Sequence, residues 1–226
     1  MPKGSRGGSK AGSDGSRGSS GIYKGVFVEG EAGAYQEQAD RLVKSFRDVL
    51  DDFGAGEELK SITFREGSAS YWRDHIDAAM DGAGGLKISK SYLAKNDGTL
   101  PKGQMAADTK EGTGAHEAGH AVTHYLLKKY VMPEASMLDQ SIARKNNKLE
   151  KAIVKEAKKR SGSKAITSKY GATNYGELVA EAISDVYTNK GRAIPFSREV
   201  VGVMKDIKKG SFKPKISVTE SERRRR

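Results

Sequence analysis

The residues best suited to chemistry form the stretch His116-Glu117-Ala118-Gly119-His120, which follows the H-E-x-x-H pattern. On an α-helix the two histidines lie about 40° apart around the axis and one turn along it, so both imidazoles can reach one metal ion. Glu117 points about 100° away from His116, where it can accept a proton from a water molecule that the metal activates. This spacing predicts a metal-binding helix that also carries a general base.

A second helix must supply a further ligand, because a zinc ion held by two histidines takes at least one more protein ligand. After Asn174 the sequence offers Glu177, Glu181 and Asp185 at steps of four, which places the three carboxylates within about 80° on one helix face. Like charges on one face repel each other, so this face is expected to meet a cation. Two alternatives stay open: Glu177 only caps the helix, or the acidic row only faces solvent.

The run from Tyr170 to Ala182, Tyr-Gly-Ala-Thr-Asn-Tyr-Gly-Glu-Leu-Val-Ala-Glu-Ala, resembles the ligand helix of the anthrax-lethal-factor-like zinc peptidases, a gluzincin group that includes the Pro-Pro endopeptidases. The resemblance implies a zincin-like domain with Zn²⁺ as cofactor and a protein or peptide as substrate. It also implies that Glu177 is the third zinc ligand, that Glu181 orients a ligand histidine, and that Tyr170 stabilises the oxyanion and assists the leaving group.

A competing register of the ligand helix also stays open. The segment Ala180-Glu181-Ala182-Ile183-Ser184-Asp185 resembles the thermolysin ligand segment, which would make Glu181 the ligand and Asp185 its partner. The lethal-factor-like register with Glu177 is preferred because it also accounts for Tyr170. In addition, 56 residues separate His120 from Glu177, a longer insert than thermolysin-like enzymes use.

The spacing of apolar residues predicts the elements that hold these groups. Helices are expected over 34–53, 114–130, 134–160 and 174–190, with a last short helix capped by Ser197, and short strands over 62–64 and 86–89. Thr113 is the expected N-cap of the metal-binding helix, and Leu86 to Ser89 is the expected edge strand for an extended substrate. The fold class is therefore α+β, with a small mixed sheet packed on the active-site helix and on a glutamate-bearing helix.

Composition divides the 226 residues into three parts. Residues 1–21 are rich in Gly and Ser and are expected to be a disordered basic tail. Residues 22–212 are expected to form the peptidase-like domain, in which 134–164 is a basic helical insert. Residues 213–226 are expected to be a flexible basic C-terminal tail.

Positive charge is concentrated in these flanking and inserted segments rather than spread over the fold. The formal net charge is +11, of which residues 1–21 carry +3, residues 141–164 carry +7 and residues 223–226 carry +4, leaving the remainder at −3. No aromatic residue within 141–164 offers a platform for base stacking. Specific nucleic-acid binding is therefore not expected, and only salt-sensitive attraction to phosphate would remain.

The sequence lacks the features of several protein classes. Without Cys it cannot form a disulfide, a thiolate zinc site or a cysteine nucleophile. No stretch approaches the roughly 18 to 20 consecutive apolar residues of a membrane span, and the first residues do not resemble a secretory signal. The expected locations are the cytoplasm, a cell into which the protein is delivered, or a virion.

The predicted function is zinc-dependent endopeptidase activity, in a toxin or effector or in a phage-encoded peptidase. In this interpretation His116, His120 and Glu177 bind the metal, Glu117 is the general base and Tyr170 meets the oxyanion. The alternative is a structural or morphogenesis protein of a phage or mobile element that retains a zinc-binding, peptidase-like fold. Zinc binding without turnover would distinguish this alternative from the enzyme.

Overall fold

Several helices and one small sheet form the fold in a computed structural model that describes residues 21–66, 78–162 and 167–225. The strands are β1 (Phe27–Glu29), β2 (Ser61–Arg65), β3 (Ala78–Met80) and β4 (Gly85–Ser89). The helices are α1 (Gln36–Phe53), α2 (Lys90–Leu93), α3 (Lys110–Leu126), α4 (Met137–Lys145), α5 (Lys148–Ser161), α6 (Tyr175–Asn189), α7 (Pro195–Lys209) and α8 (Glu220–Arg224). The predicted α+β class is confirmed. The predicted N-terminal tail lies outside the described residues except for Gly21.

The described sheet has the strand order β1-β2-β4-β3 and is mixed. The pairs β1/β2 and β2/β4 are parallel, whereas β3 runs antiparallel to β4. The predicted strands at 62–64 and 86–89 are both present, but the expectation that Leu86 to Ser89 forms the edge is wrong, because β4 lies between β2 and β3. The outermost described strand on that side is β3, whose three residues are too few to give a recognisable pattern.

Helix α3 packs closely against both α1 and α6, and all three helices contribute buried residues to the core. The predicted apolar stripe of α1 is buried, and Gly54 ends the helix in the left-handed conformation at φ 64°. Close packing depends on glycines in α3. A Cβ at Gly114 would lie 2.1 Å from the carbonyl oxygen of Leu42 in α1, and a Cβ at Gly119 would lie 3.0 Å from Cα of Ala180 in α6. The neighbouring backbones therefore occupy the space of these missing side chains.

Two predicted helix starts are wrong by about one turn. The N-cap of α3 is Thr109, whose side chain accepts a hydrogen bond from the amide of Gly112, whereas the hydroxyl of Thr113 pairs with that of Tyr92 at 2.6 Å. Similarly, α7 starts at Pro195, because proline at the first helical position has a φ already suited to the helix. Ser197 is therefore buried inside α7 rather than capping it.

The basic segment and the C-terminal segment also differ from the predictions. The single helical stretch expected over 134–160 is split into α4 and α5 at Asn147, which adopts a left-handed conformation at φ 48°. The C-terminal segment, expected to be a flexible tail, contains α8, which starts with a capping box. Arg223 of α8 forms two hydrogen bonds with Asp139 of α4, at 2.8 and 2.9 Å. None of the described helices is both long and apolar enough to cross a membrane.

Gly114→Ala is expected to destabilise the protein by about 1–3 kcal/mol, because the new methyl group would overlap the backbone of α1. Gly202→Ala in α7 is the matched control, because the nearest atom to its added Cβ is 4.0 Å away. The control should leave stability unchanged or raise it by up to about 1 kcal/mol through helix propensity. Urea denaturation followed by circular dichroism measures both. Equal midpoints for the two variants would contradict the close contact.

Candidate metal centre

Three side chains from α3 and α6 converge on one point. The ligand atoms of His116, His120 and Glu177 all lie within 4.8 Å of one another. Oε2 of Glu177 is 3.0 Å from Nε2 of His116 and 3.6 Å from Nε2 of His120. The predicted N-cap of α6 brings Glu177 here, because Asn174 accepts a hydrogen bond from the Glu177 amide and so fixes the first turn. These three groups could hold a metal ion.

Glu181 lies behind this cluster and is completely buried. Its Oε1 accepts a hydrogen bond from Nδ1 of His116 at 2.8 Å, and its Oε2 accepts bonds from the amide of Ala106 and the hydroxyl of Ser168, both at 2.6 Å. A histidine that donates from Nδ1 keeps the Nε2 lone pair free for a metal. Glu181 is therefore placed to orient His116.

In the cluster, the charges of the histidines and glutamates shift one another's pKa values. Burial lowers the pKa of His116, but hydrogen bonds to Glu177 and Glu181 outweigh this effect and raise the pKa to about 10. Burial raises the pKa of Glu177, but the bonds and charges of the two histidines outweigh it, so the pKa lies well below its ordinary value. Without a metal, the cluster is thus an ion pair that contains an extra proton, and a bound cation would displace that proton.

Glu117 and Tyr170 lie beside the same point, as the sequence predicts. The carboxylate of Glu117 accepts a hydrogen bond from the amide of Met80 in β3 at 2.9 Å. The ring of Tyr170 is 5.6 Å from that of His116, and the amide of Tyr170 donates to the carbonyl of Gln104 at 3.0 Å. Burial, followed by the negative charges of Glu177 and Glu117, raises the pKa of Tyr170. The phenol therefore keeps its proton.

A cavity of about 360 Å³ opens onto these groups. It is lined by the three candidate ligands, Glu117 and Tyr170, together with residues of β3 and of the corner between α4 and α5. This volume lies in the range of ligand-binding pockets.

Asp185, the third member of the acidic row, and His124 of α3 lie apart from the cluster. The side chain of Asp185 accepts hydrogen bonds from Asn189 and from the amide of Ile194, at the turn that leads into α7. Nδ1 of His124 is 3.8 Å from Glu58. The acidic row therefore divides: Glu177 faces the histidines, Glu181 lies behind them and Asp185 caps a turn, which favours the register with Glu177 as the ligand.

Sequence reasoning missed Ser168 and Glu150. Ser168 lies in a loop and has no distinguishing signal there. Glu150 does have a signal, because Ile153, Val154 and Ala157 follow it at three, four and seven residues, so this glutamate lies on the apolar stripe of α5. It is only 6% exposed and lines the cavity.

Comparison with known proteins identifies no relative of this chain. The sequence matches no protein-family model, and neither curated proteins nor solved structures give a significant match. A functional assignment therefore rests on the motifs of the sequence and on the arrangement of the side chains.

The metal-free protein is expected to lose stability between about pH 7 and pH 10. The pKa of His116 rises from 6.5 to about 10 on folding, so its contribution is fully present below about pH 6.5 and is lost as the pH rises through about 10. Denaturation of the chelator-treated protein at several pH values measures this. His116→Gln should flatten the decline, whereas the control His124→Gln should retain it. If stability falls with pH equally in the wild type and both variants, His116 is not the cause of the decline.

Proposed function

We propose that this protein is a zinc-dependent endopeptidase. One observation carries the proposal: a carboxylate from α6 meets two imidazoles from α3, and Glu117 of the same α3 helix turn lies beside them in an open cavity. The H-E-x-x-H helix and the glutamate helix come from segments far apart in the sequence. Their convergence is what a metal site requires and what a solvated acidic face would not produce.

The cluster suits zinc in its donors and spacing. Two imidazole nitrogens and one carboxylate oxygen form a ligand set of catalytic zinc sites, which leave a fourth position open. Ligands about 2.0–2.1 Å from a tetrahedral zinc are about 3.3 Å apart. The separations of 3.0 and 3.6 Å between Glu177 and the two histidines bracket this value. Oε2 of Glu177 is also buried, and its close polar contacts among the described residues are the two histidine rings, with which it would share a bound cation.

Each side chain beside the proposed zinc position has one role in hydrolysis. A bound zinc ion would supply Lewis-acid activation of a water molecule and of the peptide carbonyl. Glu117 accepts the proton from that water and passes it to the leaving amine, and the Met80 amide holds its carboxylate in position. Tyr170, which retains its proton, donates a hydrogen bond to the developing oxyanion. Glu181 holds His116 in the tautomer that binds metal.

The substrate is proposed to be an extended protein or peptide segment. β3 lines the cavity and is one of the two outer strands of the described sheet, so a substrate strand could pair with it by main-chain hydrogen bonds. These roles match those implied by the resemblance to the lethal-factor-like peptidases, in which a zincin-like fold carries the same residues. The resemblance and the side-chain geometry both support this assignment.

Glu117→Gln is expected to lower peptide cleavage by at least about 10²-fold, because the amide cannot accept the proton. Zinc content should stay near one ion per chain, because Glu117 is not among the ligands. Cleavage of a peptide library and metal analysis measure both. Glu37→Gln, an exposed change in α1, is the control and should behave as the wild type. Zinc binding without turnover in every protein, wild type included, would favour the assembly alternative.

Glu177→Ala is expected to abolish tight zinc binding, whereas Glu181→Gln should weaken it by about 10–100-fold. The difference arises because the first change removes a ligand and the second only disturbs the orientation of His116. Competition with a chelator measures the zinc affinity of both. A larger loss in the Glu181 variant would support the competing register, in which Glu181 is the ligand.

A further inference from the structure

The corner between α4 and α5 forms one wall of the cavity. Its residues Arg144, Asn147 and Glu150 line the cavity together with the candidate ligands and β3. Arg144 is the only lysine or arginine in the described lining, although the segment 134–164 to which it belongs is rich in basic residues. The segment expected to be only a basic insert therefore contributes one positive charge to the candidate site.

The guanidinium of Arg144 lies against the turn that follows β3. A Cβ at Gly82 would be 2.6 and 2.8 Å from its two Nη atoms, so the glycine leaves room for the guanidinium there. Gly82 is two residues after Met80, whose amide donates to Glu117, and two residues span at most about 7 Å. Arg144 is therefore about one or two residues away from the proposed general base along a substrate strand paired with β3.

The side chain of Arg144 is exposed and makes no hydrogen bond or ion pair within the ranges 21–66, 78–162 and 167–225. The carboxylates that line the cavity outside the metal cluster have other partners. Asp81 accepts hydrogen bonds from two backbone amides of its own turn, and Glu58 lies 3.8 Å from a histidine and 3.9 Å from a lysine. Glu150 is buried, and its carboxylate interacts with its own backbone amide and with Thr123. The charge of Arg144 is therefore available to a bound molecule.

The corner that carries Arg144 is held in place by α8. Glu222 of α8 accepts hydrogen bonds from Asn146 at 3.1 Å and from Lys148 at 2.8 Å, the residues on either side of Asn147. A site that is ordered before its ligand binds loses less conformational entropy on binding. The corner is therefore suited to present the guanidinium to a substrate in a defined position.

We propose that Arg144 is a specificity-determining residue, which pairs with a carboxylate of the substrate about one or two residues from the cleaved bond. The inference rests on the proposed function and names the substrate class of the same site. A guanidinium is always charged in proteins, and its planar fork of N–H donors matches the two oxygens of a carboxylate. The carboxylate belongs to an acidic side chain or to the carboxyl terminus of the substrate, and both sources offer the same chemistry.

The test compares Arg144→Gln with Lys145→Gln, a control that removes the same charge from the next residue, which is exposed and outside the described lining. The zinc-loaded wild type first cleaves a library of random peptides made with free and with amidated carboxyl termini. A cleaved peptide is then resynthesised with its acidic side chain replaced by the matching amide. We expect the wild type and Lys145→Gln to cleave the acidic peptide with a kcat/KM about 10–100-fold above that for the amide peptide. Arg144→Gln should cleave the two peptides equally well.

Charge reversal separates substrate recognition from a structural role. Arg144→Glu should prefer a peptide with lysine at the position where the wild type prefers an acid. A change that only distorts the site would slow the cleavage of every peptide by the same factor. The two sources of the carboxylate are also separated, because amidation of the carboxyl terminus removes the preference only if the terminus is the group recognised.

The outcomes distinguish this inference from the proposed function. If the wild type prefers neither an acidic side chain nor a free carboxyl terminus, or if Arg144→Gln keeps the preference, the role of Arg144 is overturned and the endopeptidase proposal stands. A wild-type protein that binds zinc but cleaves no peptide of the library would overturn both.

Discussion

The hydrogen bond between the buried carboxylate of Glu181 and Nδ1 of His116 is the constraint on which the site depends. The same carboxylate accepts bonds from Ala106 and Ser168, so it joins α3, α6, the loop that precedes α3 and the loop that precedes α6. A buried charge is tolerated only when such donors surround it. Loss of any one segment would leave the others with unsatisfied groups. Glu181 therefore links the geometry of the candidate metal centre to the packing of α3 against α6.

This coupling requires α3 and α6 to approach closely, which explains the small residues between them. Gly119 lies against Ala180, and Gly114 lies against the backbone of α1. Glycine within a helix has poor intrinsic propensity, so α3 is held by burial on both sides rather than by its own preference for helix. Gly119, which lets Glu177 and Glu181 come within reach of the histidines, is thus also one of the residues that weaken α3 as an isolated helix.

Local patterns in the sequence predicted the parts of the site that depend on helical periodicity. The positions of His116, Glu117 and His120 follow from a spacing of four, and the Asn174 cap fixes Glu177. The predicted cap of α3 at Thr113 is wrong because Thr109 caps the helix, whereas the hydroxyl of Thr113 pairs with Tyr92, a tertiary contact that no local pattern reveals. Strand β3 and the roles of Ser168 and Ala106 depend on contacts between distant segments, so no local pattern could reveal them.

The net charge of +11 gives no guide to the charge at the site. Along α5, Lys151, Lys155 and Lys158 are exposed, while Glu150 points inward to the cavity. There it joins Glu117 and Glu177, and in the described cavity lining the histidines and Arg144 are the only groups able to carry positive charge. Carboxylates collected in a partly enclosed space repel one another more strongly than they would in water. A divalent cation held between them relieves that repulsion, so the acidity of the cavity favours binding of the proposed metal.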